Sequence, residues 1–178
     1  MKDYLSVKNR IIVTVLFTVY TLLLILWDYS HGGVPIHYLF ESDDLPGISN
    51  WWGVLIVPVF SWIILKRISN RDDHIDYSGA KYILLRFLLA AVFGIIVSMF
   101  FFSEVDVMVS YLMVALLAIS FFFPLYKGEF LLGYVMSTLF AFGTFIPTLG
   151  ALILMCLLFL FYKIGRLVAS ALQAKKAI

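Results

Sequence analysis

Residues 82–102 read YILLRFLLAAVFGIIVSMFFF, an apolar run in which Arg86 is the one charged side chain. A helix needs roughly 17–25 such residues to cross a membrane. In lipid, every backbone N–H and C=O must be satisfied within the segment, so a run of this length and composition is read as helix. Ala90, Gly94 and Ser98 recur at every fourth position and share one helix face. Small residues at this spacing let two backbones approach closely, which is how helices associate in lipid. Arg86 lies within about two turns of one end of the run. Its long side chain is expected to snorkel to the headgroups, and a buried functional arginine is the alternative.

Outward from this run the chain repeats the same composition. Further apolar runs occupy residues 11–27, 51–65, 107–123, 130–146 and 151–162. The expected fold is all-α: a polytopic bundle of six transmembrane helices forming a single integral membrane domain over residues 1–178. Pro58 near the middle of the second run predicts a kink. Turns are expected at Ser103–Asp106, at Pro124–Glu129 and at Pro147–Gly150. The fifth run carries a second stripe, Gly133, Ser137 and Ala141. The third and fifth helices are therefore expected to pack inside the bundle. The same stripes would equally suit a homo-oligomer or a partner membrane protein. Leu89 and Leu132 fall off the stripes, and replacing either should cost little if it faces lipid. In the tail, Ile164, Leu167, Val168 and Leu172 keep helical spacing, so the last helix should continue past its apolar run.

The whole chain agrees with this reading. Of its 178 residues, 63% are hydrophobic and 13% charged, against about half and a quarter in soluble domains. All 13 Lys and Arg residues fall on one side of a single up-and-down threading. Cytoplasmic loops carry that excess, so both termini are expected in the cytoplasm, and the expected location is a bacterial inner membrane. The net charge of +2 is an orientation signal. Nucleic-acid binding is not expected, since it would need a clustered basic patch on a soluble face. Residues 11–27 exceed the apolar core of a signal peptide, and no small-x-small site follows them, so they read as an uncleaved first helix. Cys156 is the only cysteine, which excludes an intrachain disulfide.

Function is expected on the side without basic residues. Loop 28–50 holds Asp28, His31, His37, Glu41, Asp43, Asp44, Ser49 and Asn50, the candidate ligand-binding residues. If residues 34–41 form a short interfacial helix, His37 and Glu41 share a face. Imidazole and carboxylate so placed suit a divalent metal such as zinc, with His31 and Asp44 completing the set. The plain alternative is a solvated acidic loop. Ser49 and Asn50 also suit a helix cap, and Trp51 and Trp52 suit the membrane interface. On the opposite side, Asp72, Asp73, His74 and Asp76 lie among Arg67, Arg71 and Lys81, which neutralise them. No Asp, Glu, His or Lys falls at the middle of a run, which argues against a proton-driven pump. The expected function is binding or transport of a small, weakly charged or lipid-like ligand approached from the extracytoplasmic face. The alternatives are a metal-dependent membrane enzyme, a hydrolase for example, with its site in loop 28–50, and an accessory subunit packed on partner helices.

Overall fold

The computed structural model describes residues 4–37, 47–71 and 77–176. Among these, six α-helices follow in order: α1 (Val7–Ser30), α2 (Gly53–Ser69), α3 (Tyr77–Phe102), α4 (Asp106–Ser120), α5 (Gly128–Phe142) and α6 (Phe145–Lys176). Residues 7–30, 50–69, 77–102 and 145–173 are long and apolar enough to cross a membrane, while α4 and α5 are shorter apolar helices. The helices leave large apolar side chains uncovered, including Leu16 and Leu23 at 60% exposure, Met99 at 63% and Leu167 at 68%. Soluble monomers rarely carry so much contiguous apolar surface, and a bilayer removes the penalty. The chain is a helical membrane protein.

Several boundaries differ from the sequence expectation, each for a local reason. Of the segment 34–41, expected as a short helix, residues 34–37 are not helical, and residues 38–41 lie outside the described residues. Ile36–His37 forms strand β1, antiparallel to β2 (Ile48–Ser49), with Ile36 opposite Ser49 and His37 opposite Ile48. The pairing gives these backbone groups partners that a lone helical turn would leave open. Gly32 and Gly33, at φ 127° and 108°, turn the chain into β1. The fourth helix stops at Ser120 rather than 123, because the residue before Pro124 is pushed out of the helical region. The break between the last two helices falls at Gly143–Thr144 and not at Pro147–Gly150. Gly143 has φ 71°, which a residue with a Cβ adopts only under strain. Pro147 sits in the first turn of α6, where its missing N–H costs nothing. As expected, α6 carries the tail on to Lys176.

The core is built around α5. Leu131, Leu132, Val135, Met136 and Leu139 are buried in one cluster with Val57, Phe60 and Ile64 of α2 and Ala151 of α6. Leu132, at 2% exposure, is thus a core residue and does not face lipid. Leu89, at 58%, is exposed.

The small-residue stripes of α3 and α5 meet each other. A Cβ added at Gly94 would collide with the Ser137 hydroxyl, and one at Gly133 with the Phe87 carbonyl and Ala90. Residues 90 and 133, and 94 and 137, stand opposite with both numbers rising together, so the two helices run parallel. A third close approach, not anticipated, seats Gly165 of α6 against the Phe121 carbonyl. The hydroxyls of Ser98, Ser137 and Thr138 donate to carbonyls three or four residues back in their own helices, the usual fate of such groups in lipid.

Candidate functional site

Loop 28–50 is organised by its two ends. At the first, the Asp28 carbonyl accepts the backbone N–H groups of His31 and Gly33. The His31 ring stacks on Trp27 with centroids 4.0 Å apart. Its Nδ1 lies 2.9 Å from both the Ser30 hydroxyl and the Trp27 carbonyl. At the second end, the Ser49 hydroxyl accepts the Trp51 N–H at 3.4 Å, capping the short 3₁₀ turn Asn50–Trp52 that leads into α2. Asn50 is 3% exposed. Its Oδ1 accepts the Thr144 N–H at 3.2 Å and its carbonyl accepts the Thr144 hydroxyl at 3.3 Å. Asn50 therefore ties the loop to the break between α5 and α6. The backbone of His37 lies in β1, while Glu41, Asp43 and Asp44 lie outside the described residues. So do Asp72, Asp73, His74 and Asp76. Among the described residues no three His, Cys, Asp or Glu side chains gather as a metal site.

The other end of α5 holds the principal polar cluster. Glu129, in the first turn, is 1% exposed. Arg86 of α3 donates from Nη1 to its Oε1 at 2.7 Å. Arg71, which follows α2, donates from Nη1 to both carboxylate oxygens at 3.2 Å. Arg86 is therefore held by a carboxylate, which the snorkelling expectation did not include. The first turn of a helix also favours an acid, because the dipole's positive end lies there.

The pairing follows the stripes. One helical turn before Ala90 is Arg86, and one turn before Gly133 is Glu129. Each pair is separated by the same 43 positions as the ion pair itself. The sequence signal was present: a basic and an acidic residue stand at the same step of two matched stripes. The turn expected over Pro124–Glu129 takes Glu129 off its helix and hides the match.

Beside this cluster lies a cleft of about 420 Å³ between α3, α4, α5 and α6. Leu89, Phe93, Leu116, Tyr134, Leu154 and Leu158 form much of its wall, and Arg86 is the charged group in its lining. Apart from Arg86, the Tyr134 hydroxyl is the one polar side-chain group there among the described residues. The Phe93 and Tyr134 rings lie 6.2 Å apart. Ligand pockets typically span about 300–1,000 Å³, mostly apolar with a few convergent polar groups. This lining can hold an apolar chain and present a cation to one end of it.

A separate polar feature sits between α1 and α2. The Arg10 guanidinium lies 5.3 Å from the centroid of the Trp62 ring, within cation–π range. The Thr14 and Ser61 hydroxyls are buried without a partner among the described residues.

Compared with protein-family models, curated proteins and solved structures, the chain has no match in any of the three.

Proposed function

We propose that this membrane protein binds a lipid-like ligand in the cleft between α3, α4, α5 and α6, as a six-helix bundle of a bacterial inner membrane with both termini in the cytoplasm. The observation that carries the reading is the cleft itself: about 420 Å³ of nearly continuous apolar wall with one guanidinium at its edge. A water-soluble metabolite would find almost no polar partner there, whereas an acyl chain exchanges like for like. Parallel α3 and α5, with α4 between them in the chain, suit the alternating threading. The site differs in place from the one first expected. Loop 28–50 lies at the Asn50 end of α5 and the cleft lies towards the Glu129 end, so a ligand reaches it sideways from the bilayer rather than through the loop.

The test uses a zwitterionic phosphatidylcholine carrying a photoactivatable group on its acyl chain. With the full-length protein in lipid nanodiscs, crosslinks should concentrate at Phe93, Tyr134 and Leu154. Leu154→Trp fills the cleft and should cut that labelling about tenfold, the effect of roughly 1.4 kcal/mol of lost binding. Leu152→Trp, on an outward position at 37% exposure, should leave it unchanged. Labelling spread evenly over the outer faces of α1 and α6 would defeat the proposal.

A further inference from the structure

Resting on that reading, we infer that the occupant of the cleft is a neutral lipid with a flat, acceptor-bearing head, the chemistry of a prenylated quinone. Its ring carbonyls would lie on Arg86 and Tyr134, and its hydrocarbon tail along the apolar wall. Arg86 and Tyr134 are the polar side chains of the lining. A guanidinium can only donate hydrogen bonds, and a phenol donates readily. Arg86 gives Nη1 to Glu129, which leaves its Nε and Nη2 without a partner among the described residues. The side-chain hydrogen bonds at Tyr134 go to its carbonyl, from Ser137 and Thr138, and its hydroxyl has no partner among the described residues. A bare hydrocarbon would leave these donors open, whereas a ligand with acceptors satisfies them. The donors also stand at two levels. Arg86 is fixed opposite Glu129, and Tyr134 lies five residues further along α5, a rise of about 7.5 Å. Acceptors at opposite edges of one ring can reach both. Phe93, Phe123 and Phe130 join Tyr134 in the lining, and such faces favour a flat ring through offset or edge contacts. A neutral head suits the place better than an anionic one. The fully buried Glu129 carboxylate already accepts from the same guanidinium, so a second anion would meet a like charge beside it and lose its own hydration. Glu129 acts here as a positioning residue, holding Arg86 at the edge of the cleft.

The experiment is competition against cleft labelling by the photoactivatable phosphatidylcholine, in the full-length protein. The competitors are a benzoquinone with an alkyl tail, a benzene ring with the same tail and no carbonyls, a fatty acid with that tail, and a diacylglycerol. The quinone should compete about thirtyfold better than the carbonyl-free ring, the scale of two hydrogen bonds. That advantage is a ratio taken within each variant, so a general change in cleft shape cancels. Tyr134→Phe keeps the ring and removes the hydroxyl, and should lower the advantage about fivefold. Arg86→Gln should lower it as well, and the tyrosine variant keeps the test decisive where the glutamine variant fails to fold. Equal competition by the quinone and the carbonyl-free ring in the wild-type protein overturns the inference, and so does an advantage unchanged in Tyr134→Phe. A fatty acid that competes better than the quinone overturns it by identifying an anion site. A diacylglycerol that competes equally well overturns it by showing that no ring is read. In each of these outcomes the cleft remains labelled, so the headgroup inference fails without the lipid-binding reading. Absence of cleft labelling removes both.

Discussion

Glu129 shows how a carboxylate is kept in an apolar bundle. Stripped of water it would be costly, and two arginines from different parts of the chain offset that cost. Truncating one partner of such a cluster is expensive because the remaining charges stay behind. Glu129→Ala should therefore destabilise the protein by about 3 kcal/mol, the low end for a broken buried pair, because both guanidiniums remain about a third exposed and can rehydrate. Glu129→Gln should cost less, since the amide oxygen still accepts from Arg86. Thermal unfolding of the purified variants in detergent checks both, and a wild-type midpoint for Glu129→Ala would mean the cluster contributes nothing net. Asn50 illustrates the reverse case. Its sequence context suits ligand binding, and in the fold its Oδ1 accepts the Thr144 N–H. An amide side chain in a polar loop reads alike for either role, because its partner lies 94 positions away.

At the scale of elements, the pairing of α3 with α5 is decided by what is missing from their side chains. Gly94 and Gly133 stand where a Cβ would strike the neighbouring helix. Gly94→Leu and Gly133→Leu should each lower stability by about 1–3 kcal/mol or more, since the helices must separate to admit the side chain. Gly150 of α6 has open space around it, and Gly150→Leu should be neutral or slightly stabilising through better helix propensity. Unfolding midpoints of the three variants give the comparison, and equal tolerance at all three positions would show that the stripes are not contacts. The stripes were legible because fourfold spacing of small residues has a direct geometric meaning. The α5–α6 break was misplaced because Pro147 and Gly143 each signal a boundary in sequence. Only the left-handed backbone at Gly143 shows which of the two ends a helix and which begins one.

For the whole molecule, the orientation expected from the basic residues is open to direct measurement. In a Cys156→Ala background, single cysteines placed within residues 28–50 or at position 104 should react with an impermeant maleimide from outside intact cells. Cysteines at positions 72 and 178 should react only after permeabilisation. Labelling of both groups from one side would overturn the threading. If that threading holds, the Glu129 cluster and the cleft lie towards the basic side and the Asn50–Thr144 link on the other.

The sequence by itself determined that the chain is a helical membrane protein, where its apolar runs lie, and that the third and fifth helices carry matched small-residue faces. These properties depend on composition and on periods of a few residues, which a helix converts into geometry without help from the rest of the chain. Only the tertiary structure decided that the two faces meet each other, that Leu132 is core while Leu89 faces outward, and that Ile36–His37 is strand. It alone joined Arg71, Arg86 and Glu129, and opened a cleft beside them. Each of those outcomes rests on which distant segments become neighbours. Neighbours are selected by close packing and by the need to partner buried charge, and neither is expressed within a single run of sequence.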